Sequence, residues 1–316
     1  MTTWNAGTNL VGSNPNRGTS FITKNKVFLI GGFVNGVLSN KTYSADIDSE
    51  GVIGAWSDTG NDLPVAMVDC ATIITKTRVY IVATNEENHP NNTDRIFFSE
   101  IQPDGTLGLW QDNPQPFPTT TRGGLVCVYD NYVYVQRLQG TSQTASREIF
   151  KATIDEQGIL GEFTGTSKLI PSFLWFPELC VIKNKLYLFG GRPTLSFHAC
   201  LNVVYVSNID ASGNLGDFYS GNDLSQITCA SKALITKTRV HLIGSRGTNG
   251  ANIRCLMTAP IDNDGVVGTW TNLTNLPSDR GHSPIVVTSS RLYILGGSST
   301  NTSTWTPFEG GSNDYV

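Results

Sequence analysis

Nowhere in this chain of 316 residues does an apolar run reach the roughly 18 residues that a membrane-spanning helix requires. The opening residues, Met1 to Asn5, have neither the basic segment nor the apolar core of an export signal. These two absences lead us to expect a soluble chain with no membrane insertion, made in the cytoplasm. Charge is also scarce. Only 15% of residues are charged, the net charge is −4, and no basic block occurs. A nucleic acid is therefore not expected as a partner. The six cysteines form no CxxC pair and no Cys/His cluster, which argues against a zinc site. Cys70, Cys127, Cys180 and Cys229 sit in apolar runs that open a repeat, and Cys200 and Cys255 lie in later strands. Buried thiols are the expectation, since a free cysteine packs as a small hydrophobe. No helical periodicity persists beyond one turn. No nucleophile–base pair, paired acids or metal motif is visible, and no cofactor is expected.

What is present is repetition. Five segments fit the pattern I-x-x-x-G-x-[ILV]-G-x-[WF]: Ile47 to Trp56, Ile101 to Trp110, Ile154 to Phe163, Ile209 to Phe218 and Ile261 to Trp270. A second element, first seen as Lys26-Val27-Phe28-Leu29-Ile30-Gly31-Gly32, recurs in step. Its ring-bearing position falls at Phe28, Tyr80, Tyr134, Tyr187, His241 and Tyr293, at gaps of 52, 54, 53, 54 and 52 residues. Units of this size do not bury a core alone and must be stacked or arranged radially.

Each period reads as four strands. An apolar strand such as Cys70 to Ile74 leads through a polar hairpin, Thr75-Lys76-Thr77-Arg78, into the β-branched run Val79 to Val82. A third strand, as in Tyr43 to Ile47, then turns through two glycines towards Trp56. The recurring Trp4, Trp56, Trp110 and Trp270, with Phe163 and Phe218 in the same register, read as packing between units. Asp48, Asp155, Asp210 and Asp262 read as turn residues. The Asn-x-Thr/Ser sites at Asn40, Asn91, Asn272 and Asn301 are chance matches in a chain rich in these residues.

The order of apolar strand, Gly-Gly, tyrosine, tryptophan, Leu-Pro and Arg-Gly-His is clearest at Leu276-Pro277-Ser278-Asp279-Arg280-Gly281-His282. It resembles the kelch repeats of galactose-oxidase-like propellers over residues 2 to about 309. The chain departs from that pattern in a longer turn between the third and fourth strands. It also loses Gly-Gly at Ala83-Thr84, Arg137-Leu138 and Gly244-Ser245. The resemblance implies an all-β fold, a six-bladed kelch-like β-propeller forming one domain over residues 1–309. The expected blades are near 17–56, 66–110, 120–163, 174–218, 228–270 and 280–309, with a tail at 310–316. The last repeat lacks a fourth strand, and Trp4 lies 52 residues before Trp56. An N-terminal strand, residues 2–5, is thus expected to complete the last blade and remove the free sheet edges.

Loops of a four-stranded meander alternate between two faces. Those within the hairpins and before the tryptophans are short and uniform. The second-to-third loops (33–41, 85–95, 139–147, 192–202 and 246–254) and the links between blades (112–122 and 165–177) vary. Variation on a rigid scaffold places binding on the second face, at the mouth of the channel. The expected binding residues there are Arg17, Arg122, Trp175, Arg192, His198, Arg280 and His282, with Phe173 and Phe176 beside Trp175. Arginines suit carboxylates or glycans and exposed aromatics suit sugars or protein partners, although Arg17, Arg122 and Arg280 could instead tie their loops to the next blade and the aromatic run could equally be a packed plug between blades. The four histidines, His89, His198, His241 and His282, are scattered, and no metal site is expected. The function expected is a non-catalytic binding or assembly module for a protein or glycan partner. Its composition is similar in style to a virion protein such as a phage tail or capsid-attached component, with a cytoplasmic protein as the alternative. The other reading is a sugar-acting enzyme, like the propeller sialidases or sialic acid epimerases.

Overall fold

The computed structural model describes residues 4–7, 10, 16–82, 85–86, 94–118, 124–137, 147–193, 199–246, 252–296 and 303–305. The described residues are all-β and contain no helix. They form the four-stranded antiparallel sheets of a β-propeller, with two short two-stranded ribbons beside them. Five sheets are each cut from one continuous stretch of chain. The first is Thr19–Thr23, Lys26–Ile30, Thr42–Asp46 and Ser57–Asp58; the second is Ala71–Ile74, Arg78–Val82, Phe97–Glu100 and Gln111–Asp112. The third runs from Gly124–Tyr129 to Thr164–Leu169, the fourth from Glu178–Ile182 to Tyr219–Ser220, and the fifth from Lys232–Ile235 to Thr271–Asn272. One more four-stranded sheet is composite. Ile285–Val287, Leu292–Ile294 and Ser303–Trp305 are joined by Trp4–Ala6 from the other end of the chain, with Trp4 opposite Trp305. The continuous blades therefore number five, and the expected count of six rests on this composite sheet.

The alternation of apolar and polar residues explains the strands. Thr19–Thr23 buries every second residue, whereas Lys26–Ile30 is buried almost throughout because it lies between two neighbouring strands and two neighbouring sheets. The first strands of the five continuous sheets touch in sequence, and Ile285–Val287 touches Thr19–Thr23. Apolar clusters fill the gaps between sheets. Phe189, Leu242, Met257 and Trp270 join the fourth to the fifth, with Trp270 edge-on to Phe189 at 5.3 Å. Leu234, Ile243, Leu292 and Ile294 join the fifth to the composite sheet, and Val27, Trp56, Val286 and Tyr293 join that sheet to the first.

The repeated tyrosine is a latch between blades. Tyr80, Tyr134, Tyr187 and Tyr293 donate their hydroxyls to Gly158, Gly213, Gly265 and Gly51, each in the third-to-fourth turn of the next sheet. Three of them also accept a backbone N–H from that turn, from Leu160, Val267 and Ile53. The turn glycine is required there: it has φ of +82° at Gly158, and a Cβ would lie 2.7 Å from Thr77 Oγ1. The aspartates do the turn chemistry expected of them. Asp155 Oδ1 accepts from Gln157 N and Ile159 N, and Asp48, Asp210 and Asp262 repeat the pattern.

Two positions break the tyrosine series. Phe28 has no hydroxyl; the bond from Thr23 to Gly105 O remains, the same bond that Thr75 and Thr288 make to Gly158 O and Gly51 O beside their tyrosines. His241 belongs to the fifth sheet, whose next neighbour is the composite one. That sheet takes its fourth strand from Trp4–Ala6 and not from the segment that follows its third strand.

On the opposite face, a residue at or just past the end of the second strand in three blades meets the segment that opens the next blade. Gly32 N donates to Met67 O, Gly191 N to Thr228 O, and Ser245 N to Arg280 O. Where Gly-Gly is lost in the third blade, Gln136 Nε2 donates to Leu174 O, the carbonyl at the matching position. Gly32 admits no side chain, since a Cβ would come within 2.5 Å of Asn16 O. One expected loop is shorter than the sequence suggested. Residues 165–169 belong to the strand Thr164–Leu169, which continues past a register shift against Glu148–Thr153.

Candidate functional site at the channel mouth

Five residues at one register, Arg17, Asp69, Phe176, Ala230 and His282, have left-handed backbones, with φ of 59°, 56°, 47°, 56° and 54°. None is a glycine, so each carries conformational strain that its surroundings must hold. The holding contacts are visible. Asp69 N donates to Arg17 O, Arg17 N to His282 O, His282 N to Ala230 O and Ala230 N to Phe176 O, at 2.9 to 3.3 Å. These bonds run head to tail around the channel, from one blade to the next. Arg122 falls at the same register in the third blade and lies outside the described residues.

Side chains from this rim and from the first strands line a cavity of about 220 Å³. Its charges come in facing pairs. Arg17 Nε donates to Asp69 Oδ1 at 2.8 Å, and its Nη2 meets the other carboxylate oxygen. Burial opposes the Arg17 charge, but Asp69 outweighs it and holds the guanidinium above its ordinary value. Glu178, in the fourth blade, accepts Ala233 N at 2.9 Å and stands 3.7 Å from Lys232 Nζ in the fifth. Burial raises the Glu178 carboxyl, and Lys232 and the Ala233 N–H offset only part of that. His282 Nδ1 lies 4.0 Å from Asp69 Oδ1. Burial lowers its pKa to about 3 despite Asp69, so the imidazole is neutral at pH 7. The Phe176 ring meets His282 edge-on at 5.2 Å, and the Arg192 guanidinium lies 5.2 Å from its centroid. Ser20 and Thr72 add hydroxyls to the lining.

The residues expected from the sequence divide sharply. Arg17 and His282 stand on the rim together. Trp175 does not present a ring: it is 1% exposed, and its backbone pairs with Arg192. Of the two readings of that aromatic run, exposed anchor and packed plug, Trp175 follows the second. Arg280 is two residues out of the rim register. It is buried, its guanidinium donates to Gly296 O, and its backbone pairs with Ile253, so it ties the fifth blade to the composite sheet. Arg192 is likewise buried at 2% exposure, and desolvation lowers its pKa. Both were candidates to bind a ligand; Arg280 instead follows the alternative reading, a tie between blades. Arg17 and Arg280 therefore do not converge: Arg17 is held by Asp69 and Arg280 is buried against Gly296 O, while Arg122 and His198 lie outside the described residues. His241 is buried within its strand and away from the mouth.

Sequence reasoning missed Asp69, Glu178 and Lys232, and took Phe176 only as part of an aromatic run. The signal was the period itself. Counting 52 to 54 residues on from Arg17 reaches Asp69, Arg122, Phe176, Ala230 and His282 in turn. Among the described residues, no group of three or more His, Cys, Asp or Glu is placed to hold a metal ion. Neither a scan against models of protein families nor a search of curated proteins returns a match for this sequence.

Proposed function

We propose that this chain is a non-catalytic binding propeller of the kelch kind, and that its channel mouth takes a terminal sugar or a similarly small, polyhydroxylated group. The carrying observation is the cavity, where Asp69, Glu178, Lys232, Ser20 and Thr72 offer fixed polar atoms and Phe176 an aromatic surface. About 220 Å³ is below the ~300–1,000 Å³ of drug-sized ligand sites. One sugar unit of a larger glycan suits that volume better than a nucleotide cofactor does. The charges are already paired with each other, which favours a neutral or zwitterionic guest over a strong anion. The failure of Arg17 and Arg280 to converge weighs against the sialidase reading, which needs an arginine cluster on a carboxylate.

In this reading the composite sheet is the sixth blade and Trp4–Ala6 closes the ring. The apolar contacts on both its flanks support this. Low charge and Asn-, Thr-, Gly- and Ser-rich loops support a particle-borne role, as in a virion attachment or assembly protein. The test is binding of the intact chain to arrayed neutral and sialylated glycans, with turnover of sialosides measured alongside. Binding without turnover is expected. Turnover would favour the enzyme reading.

A further inference from the structure

All six cysteines are thiols, yet two of them are arranged as a pair. Leu201 and Thr228 form an antiparallel bridge between the second-to-third loop of the fourth blade and the segment that opens the fifth. One residue outward, that register sets Cys200 opposite Cys229. Residues directly opposite in an antiparallel pair have Cα atoms about 4.5–5.5 Å apart, within the span a disulfide bridges. Their sulfurs are 2.7 Å apart and both residues are buried, at 6% and 2% exposure. Closing to a bonded pair asks for less than about 1 Å of movement. Cys229 is fixed by its own backbone: its N–H donates to Ser245 Oγ, and its carbonyl accepts Arg246 N.

We propose that Cys200 and Cys229 are a disulfide-forming site, which staples the fourth blade to the fifth when the chain meets a small-molecule disulfide. The surroundings set the order of events. The Cys229 thiol faces Cys200 and favours its thiolate, burial works against that thiolate, and the charges of Arg192 and Arg246 support it. Cys229, by contrast, is pushed up by Cys200 and by burial. The Cys200 thiolate attacks one sulfur of oxidised glutathione. A mixed disulfide forms and one glutathione thiolate leaves. Cys229 then attacks the Cys200 sulfur and expels the second. The two thiol protons pass to the two glutathione thiolates, so two protein thiols are oxidised and one glutathione disulfide is reduced to two thiols. No other pair of the six cysteines shows a sulfur–sulfur contact among the described residues. The other four should therefore stay as thiols.

The experiment incubates the intact chain in glutathione buffers of increasing oxidised fraction until labelling is constant. Remaining thiols are trapped with an alkylating agent under denaturation, and the peptides are mapped by mass. The expected result is one Cys200–Cys229 linked peptide, the other four cysteines fully alkylated, and a higher melting midpoint that a reductant reverses. Cys229→Ser should abolish both the link and the shift. The wild-type map decides the matter even if that variant folds poorly. Six alkylated cysteines at every buffer ratio, a link between any other pair, or glutathione left on Cys200 without the internal bond would each overturn the proposal.

Discussion

Removing one oxygen atom from Tyr187 tests how the blades are held together. Its hydroxyl donates to Gly265 O at 2.7 Å and accepts Val267 N at 3.3 Å, across the boundary between the fourth and fifth blades. The ring is 2% exposed, so water does not replace the lost partner. Tyr187→Phe keeps the packing against Phe189, stacked at 5.4 Å, and deletes only the bonds. A buried carbonyl and a buried N–H are then left without that partner, at a cost of about 1–3 kcal/mol. Urea unfolding should show a lower midpoint with an unchanged slope. If Tyr187→Phe shifts stability by less than about 0.5 kcal/mol, the latch is ornamental and the account of the repeat fails.

Three further expectations follow from the same contacts. Trp175→Ala should destabilise the fold by about 3–5 kcal/mol, as removal of a buried aromatic does, whereas Phe176→Ala should chiefly alter the mouth; thermal unfolding of the two variants separates them. His241 is held to about 4 by burial and by Arg239, and His282 to about 3 chiefly by burial, whereas both take up a proton near 6.5 when unfolded. The unfolded chain therefore binds more protons below that value. Stability should fall as pH drops from 6.5 towards 4, by about 3 kcal/mol for His241 alone, and His241→Gln should flatten the profile of urea midpoint against pH. Finally, a chain lacking residues 1–8 should unfold over a broader range of urea, since it loses the strand opposite Ser303–Trp305.

The architecture was legible because it is periodic. Glycine, tyrosine and tryptophan recur at positions where sterics and packing leave few alternatives, and apart from the long strand Thr164–Leu169 the main strands fall close to where alternation put them. The mouth was less legible for a physical reason. Its defining feature is a left-handed backbone at Arg17, Asp69, Phe176, Ala230 and His282. Those side chains share no chemistry, so the matching of letters passes over them. The Arg-Gly pair at 280–281 imitates Arg17-Gly18 but sits two residues early, which is why Arg280 was expected at the rim and is found in the core. Trp175 misled in a similar way. An aromatic-rich loop looks like an exposed surface until the pairing of Trp175 with Arg192 fixes which ring is turned inward.

The central claim is that the mouth, and not the opposite face, does the binding. Binding of the intact chain to a glycan array, repeated with substitutions on each face, measures it most directly. Asp69→Asn, Phe176→Ala and Lys232→Ala alter the mouth, and Lys76→Ala and Lys237→Ala alter the hairpin face. The account predicts that mouth substitutions weaken binding at least tenfold, a loss of about 1.4 kcal/mol, while hairpin substitutions leave it unchanged. Loss confined to the hairpin variants, or no glycan bound by the wild-type chain, would contradict it.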